Sequence, residues 1–209
     1  VQSLTMDGAP CVNLPDGPVT QPVTIAKETK LASIDHTATI EFDDGVMRQT
    51  NEFTVTEDID LVSLYPFIYS FSPEFTHFLA IPEVGDLQVG EFTSEGDHRV
   101  NAEVPAFALY NEDAGKGVVV YLQQSPGGPV TLWDQTGYRK FWIQPAKGTI
   151  KAGTEYTATM LLTCFDGGDD WQGAATDVAA DLQEEYPMQQ AEAQPNQLYD
   201  GVRALIRRK

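Results

Sequence analysis

Thr37-Ala38-Thr39-Ile40-Glu41-Phe42 alternates polar and apolar residues, runs into Asp43-Asp44-Gly45, and returns through Val46–Thr56. Alternation with a period of two is the mark of a strand with one buried face. Glycine tolerates a positive φ, so Asp43-Asp44-Gly45 reads as the turn of a β-hairpin. On the returning strand Met47, Phe53 and Val55 are the core candidates.

Downstream of this hairpin the chain continues in short strand-like units. Leu61–Phe71 is apolar and aromatic, with Pro66 inside it. Proline cannot donate to a sheet ladder, so the stretch is an edge strand, a bulge or two short strands. Phe75–Ala80, Leu87–Phe92, Arg99–Val104 and Phe107–Tyr110 read as further strands. A turn over residues 112–117 leads into Val118–Gln123, which reads as a central strand, and Ser125–Pro129 is a loop. Tyr138–Gln144 and Tyr156–Phe165 complete the β region. Helical periodicity comes late. Asp169 or Asp170 caps a helix over Trp171–Glu185, with Trp171, Ala175, Val178 and Leu182 on one face, and Pro187 ends it. A polar linker, Met188–Pro195, precedes a second expected helix over Leu198–Arg208, capped by Asn196. Upstream, Val1–Thr24 is rich in Pro, Gly and Thr and reads as an extended lead-in with at most one edge strand; no signal-peptide pattern opens it. The expected organisation is a lead-in over 1–24, a β-sandwich domain over 25–167 and a helical segment over 168–209. The fold class is all-β: a large antiparallel β-sandwich with one or two C-terminal helices.

Composition narrows the function classes. The 209 residues are long enough for one well-buried core. Acidic residues outnumber basic ones 31 to 13, a net charge of −18. Such a surface repels phosphate backbones, so no nucleic-acid partner is expected. It suits a secreted or salt-tolerant protein, and a secreted or periplasmic location is the expectation. No apolar run approaches the roughly 20 residues that cross a bilayer, so no transmembrane segment is expected. Cys11 and Cys164 could pair in an oxidising compartment, or Cys164 could be a small buried hydrophobe in the apolar run Met160–Phe165. There is no Cys/His zinc spacing, Gly-x-Ser-x-Gly elbow, P-loop or dinucleotide fingerprint, so no cofactor and no metal are expected. Asp166-Gly167-Gly168-Asp169-Asp170 has the oxygen-rich texture of a calcium loop, but its spacing does not match one, and a turn with a helix cap explains it.

One segment has the texture of a sugar site. In Tyr138-Arg139-Lys140-Phe141-Trp142, alternation puts Tyr138, Lys140 and Trp142 on one face and Arg139, Phe141 and Ile143 on the other. With Trp133 and Asp134 nearby, the first face forms a candidate binding platform. Aromatic faces stack on the C–H surfaces of sugar rings, and charged groups bond to their hydroxyls. The plain alternative is a solvent-facing strand with a partly covered tryptophan.

From about Arg48 to Phe165 the order of features resembles the galactose-mutarotase-like β-supersandwich. The resemblance is carried by Gln49–Thr56 (QTNEFTVT), Leu64–Ala80 (LYPFIYSFSPEFTHFLA), Val104–Gln123, Tyr138–Ile143 (YRKFWI) and Gly148–Thr163 (GTIKAGTEYTATMLLT). It covers somewhat over half the chain, in strand order and texture. That fold recurs in sugar epimerases and in domains of polysaccharide lyases and glycoside hydrolases, so the resemblance implies a carbohydrate partner. In mutarotases a histidine acts as acid and a glutamate as base, and His77 with Glu52 or Glu91 could imitate that pair. No mutarotase motif surrounds these residues. Arg99, beside His98, could clamp a uronate carboxylate, and Tyr65 or Tyr69, flanking Pro66, could serve in lyase chemistry.

Three functions follow as expectations. The first is a carbohydrate-binding or accessory domain of a polysaccharide-processing system, acting through Trp133, Tyr138, Lys140 and Trp142. The second is a sugar epimerase or polysaccharide lyase on the same scaffold, with His77, Glu52 and Arg99 as catalytic candidates. The third is a structural or protein-interaction sandwich.

Overall fold

The structure, a computed structural model, describes residues 2–11, 22–125, 127–143 and 146–189. In chain order the strands are β1 (Ser3–Met6), β2 (Ala9–Pro10), β3 (Val23–Leu31), β4 (Ile34–Asp43), β5 (Val46–Val55), β6 (Ile59–Leu64), β7 (Phe67–Phe71) and β8 (His77–Ile81). They continue as β9 (Gln88–Glu91), β10 (His98–Ala102), β11 (Ala106–Asn111), β12 (Lys116–Gln124), β13 (Val130–Gln135), β14 (Tyr138–Ile143), β15 (Ala146–Ile150) and β16 (Glu155–Asp166), and helix α1 (Trp171–Glu185) follows.

Ten strands form one sheet in the order β2-β1-β3-β4-β5-β16-β12-β11-β8-β9. A four-stranded sheet, β10-β13-β14-β7, lies over it, and β6 and β15 pair as a two-stranded ribbon. This is the expected large antiparallel sandwich with a C-terminal helix. No helix among the described residues is long and apolar enough to cross a membrane. The second expected helix, Leu198–Arg208, lies outside the described residues.

The β4–β5 hairpin turns on Asp44 and Gly45, whose φ values of 43° and 77° fit the two-residue turn that matches strand twist. Central strands of the large sheet are buried on both faces, and alternation divides their side chains. Phe107, Leu109, Val120, Leu122 and Met160 pack against Val130, Leu132, Phe141 and Ile143 of the four-stranded sheet. Ala106, Ala108, Val119, Tyr121 and Leu161 pack under Ala175, Ala179 and Leu182 of α1. A smaller cluster, Ile34, Phe53, Val55, Leu64 and Ile150, fills the end covered by the ribbon. Of the two candidate caps, Asp170 caps α1: its Oδ1 accepts from the backbone N–H of Gly173 at 2.9 Å. After the helix, Gln189 N donates to Gln123 O at 2.7 Å and ties the chain back to β12.

Leu61–Phe71 is two strands. The break at Tyr65-Pro66 sends β6 into the ribbon and β7 into the four-stranded sheet. Ser3–Met6 pairs with β3, so part of the expected lead-in belongs to the large sheet. Cys11 and Cys164 are both free, and Cys164 is exposed. In sheet order β2, next to Cys11, stands five places from β16, on the order of 20 Å, far beyond disulfide reach.

Candidate functional site

The outward face of the four-stranded sheet is assembled by register. Arg139, Phe141 and Ile143 of β14 point inward and are buried, which leaves Tyr138, Lys140 and Trp142 outward. Pairing with β13 places Trp133 opposite Lys140, Thr131 opposite Trp142 and Gln135 opposite Tyr138. On the flanks β10 sets His98 opposite Trp133 and Asn101 opposite Thr131, while β7 sets Ile68 opposite Trp142 and Ser70 opposite Lys140. The rings converge. His98 lies 4.5 Å from Trp133, edge to face, and 5.7 Å from Trp142, and the two indoles are 6.3 Å apart. Lys140 Nζ stands 5.4 Å from the Trp142 ring centroid, in cation–π range. The four expected platform residues therefore share one face, with His98 added and Tyr138, 38% exposed, at its end.

Behind this face lies a buried ionic centre. Asp134, opposite Arg139 in the ladder, points inward and is 0% exposed. Its Oδ1 accepts from Arg139 Nη1 at 2.9 Å. Its Oδ2 accepts from Arg99 Nε at 3.1 Å and Nη2 at 3.0 Å, and from the backbone N–H groups of Thr93 at 2.6 Å and Ser94 at 2.7 Å. Arg139 also donates to the carbonyls of Phe75 and Pro73, each at 3.0 Å, and its guanidinium lies 4.9 Å from the Phe92 ring centroid. Burial pulls the Arg139 pKa down, and the charge of Asp134 opposes that pull. Arg99, the candidate uronate clamp, is thus held by Asp134.

The other catalytic candidates are kept apart. His77 lies opposite Glu91 in the β8–β9 ladder, Nε2 to Oε1 3.7 Å, with Thr76 Oγ1 2.8 Å from Nδ1 and the Trp171 ring 5.8 Å away. It packs against the start of the helix layer. Glu52 is exposed on β5, four strand places away, or about 19 Å. Of the two glutamates weighed for His77, only Glu91 meets it. Arg99 belongs to the other sheet. In the acidic loop Asp166 pairs with Lys116 and Asp170 caps α1. Among the described residues no three His, Cys, Asp or Glu side chains are grouped to hold a metal ion.

A second polar cluster, unread in the sequence, lies on the inner face of the large sheet beside β7, the edge strand of the four-stranded sheet. His36 of β4 stacks on Phe53, centroids 4.5 Å apart and planes 8° from parallel. Asn51, 3% exposed, donates from Nδ2 to the carbonyl of Pro66 at 2.8 Å. That bond turns Asn51 Oδ1 toward His36, so His36 Nε2 is the donor across 3.1 Å. Gln49 Nε2 also donates to this Oδ1, at 3.3 Å, and Tyr69 donates its hydroxyl to Gln49 Oε1. Burial pushes the Tyr69 phenol up to about 12, so it stays a neutral donor at physiological pH. A phenol whose folded pKa lies above its unfolded one stabilises the fold below pH 10, and that contribution is lost as pH rises through about 12. Tyr69→Phe is expected to remove one step near pH 12 from an alkaline absorbance titration of the tyrosines. An unchanged profile would refute the assignment. The signal that could have found this cluster is parity: Gln49 and Asn51 are amides at positions flanked by the core residues Met47 and Phe53.

No family model matches the sequence, and no curated protein sequence matches it. Solved structures do resemble its shape. One is a quadruple mutant of the α-N-acetylgalactosaminidase NagBb from Bifidobacterium bifidum, at TM-score 0.52 and 13% identity, covering 89% of this chain and 31% of that one. Another is a galactose mutarotase-like protein from Lactobacillus casei, at TM-score 0.42 and 11% identity, covering 73% and 72% of the two chains. The heparan sulfate lyase HepC from Pedobacter heparinus gives TM-score 0.40 and 9% identity, covering 79% of this chain and 24% of that one. The chain therefore spans about a third of the glycosidase and about a quarter of the lyase. The likeness is one of fold alone, and the structure that carries it is the glycosidase, whose shared part is a large β-sandwich.

Proposed function

We propose that this chain is a carbohydrate-binding or accessory domain that engages a polysaccharide through the outward face of its four-stranded sheet. The observation that carries the reading is the gathering of Trp133, Trp142, His98 and Lys140 on a face whose opposite side is fully packed. The indoles offer apolar surface to sugar C–H groups, and the ammonium, imidazole and Gln135 amide offer partners for hydroxyls. Tyr138 extends the strip along β14. The glycosidase with a similar sandwich agrees with a sugar-handling context.

The test is affinity electrophoresis of the chain through gels carrying neutral or acidic polysaccharides, with Trp142→Ala beside the parent. Loss of a central aromatic anchor costs about 2 kcal/mol, so affinity is expected to fall roughly 30-fold while the circular dichroism spectrum is kept. Equal retardation of the folded variant, or none of either protein, would refute the proposal.

The inner cluster supports a second reading, an epimerase or lyase. Its support is the neutral Tyr69 phenol joined through Gln49 and Asn51 to the His36 imidazole, a hydrogen-bonded chain that sets a hydroxyl and a ring nitrogen together. Product formed from a bound polysaccharide by the parent but not by Tyr69→Phe would favour it; identical product from both would remove it.

A further inference from the structure

We propose that the sugar taken by the outward face is acidic: a uronate-bearing polysaccharide whose carboxylate pairs with Lys140. The proposal rests on the binding reading above and names its substrate class.

Charge distribution carries the argument. The chain has 31 acidic residues against 13 basic ones, yet the outward positions of β10, β13, β14 and β7 hold no carboxylate. Of the two carboxylates close to this face in sequence, Asp134 is turned away from it and Asp97 is engaged by the backbone. Asp134 points inward onto two guanidiniums, and Asp97 accepts from the backbone N–H of His98 at 2.7 Å. Glu95 sits at the exposed rim, 3.9 Å from Arg99. Behind the face, Arg99 and Arg139 set two positive charges against the single buried charge of Asp134.

Lys140 completes the case. Lys30, Arg48, Lys116 and Lys151 each hold a carboxylate at the surface. Lys140, like Lys27 and Lys147, holds none among the described residues, and of these three its ammonium is the one directed over an aromatic ring, that of Trp142. It is an unneutralised cation beside a stacking surface, in a chain that is negative elsewhere. A uronate presents both complements on one ring: a C–H face for the indole and a carboxylate at its edge. One ammonium among neutral hydroxyl-binding groups fits one carboxylate per sugar. A densely sulfated chain needs clustered cations, which this face does not carry.

The experiment is affinity electrophoresis of the full chain in polygalacturonate and polymannuronate gels, each beside its carboxyl-reduced neutral counterpart, with heparin as competitor. Lys140→Met keeps the apolar stem and removes the charge. At least one uronate polymer is expected to bind, with retention weakened by salt and falling about tenfold or more on carboxyl reduction and in Lys140→Met. Equal binding of a reduced polymer, unchanged binding by Lys140→Met, or preference for heparin would overturn the inference. If Trp142→Ala still abolished binding in those cases, the platform would stand and only the acidic class would fall. No binding to any polymer would overturn both.

Discussion

Replacing Asp134 by alanine is expected to destabilise the fold by about 3–5 kcal/mol, because it leaves charge buried without its partner. For a chain of this length that lowers the melting temperature by on the order of 10 °C. Asp134 is fully buried and accepts from both Arg99 and Arg139 as well as two backbone N–H groups. Truncation removes the acceptor of Arg99 Nε and of both backbone N–H groups, and leaves Arg139 with only neutral acceptors. Arg139 suffers most, since its own burial already disfavours its charge and Asp134 is the counterweight. The damage is not confined to the pair. Thr93 and Ser94 lose the acceptor that fixes their loop, and Arg139 is the residue that ties the carbonyls of Pro73 and Phe75 to the four-stranded sheet. Asp134→Asn keeps the volume and one carbonyl acceptor, so its loss should be smaller. Thermal denaturation followed by circular dichroism checks both variants. A shift for Asp134→Ala no larger than that of an exposed substitution would show that the centre is solvated and energetically idle.

The same centre shows where sequence reading stops. Features set by near neighbours were legible: the β4–β5 hairpin from its alternation and Asp-Gly turn, α1 from its periodicity and a cap at Asp169 or Asp170, and an irregularity of Leu61–Phe71 at Pro66, with two short strands among its readings. β14 was legible because its residues alternate as two sets, Tyr138, Lys140 and Trp142 against Arg139, Phe141 and Ile143, although each set mixes charged and aromatic groups. β13 was not, because Asp134 stands at an inward position and Trp133 at an outward one, the inverse of the usual pattern. β3 was missed for a related reason: Lys27 and Thr29 occupy its inner face near the sheet margin, where burial is incomplete. The partner of Arg99 lies 35 residues away. The inner cluster joins His36, Gln49, Asn51 and Tyr69 from three strands of two sheets. Only the way the sheets meet brings such groups together, and local periodicity carries no information about it.

Adjacent residues of β14 should therefore respond in opposite ways, and this separates fold from function. Phe141 is 0% exposed, with its ring 4.9 Å from that of Phe107, 5.8 Å from Tyr69 and 6.3 Å from Phe71. Phe141→Ala leaves a cavity between the two sheets that rigid strands cannot collapse into, and is expected to cost about 3–5 kcal/mol. Trp142 projects from the other side of the same strand, half-buried among His98, Trp133 and Lys140. Its truncation removes surface contacts without opening the core, so stability should change far less, by about 1 kcal/mol. Urea denaturation midpoints read beside glycan retention test the pair. Phe141→Ala should unfold at much lower urea and, where still folded, retain binding; Trp142→Ala should shift its midpoint only slightly and lose binding. If Trp142→Ala lost stability as Phe141→Ala does, the outward aromatics would be part of the packing, and the structural or protein-interaction sandwich would become the better account of this face.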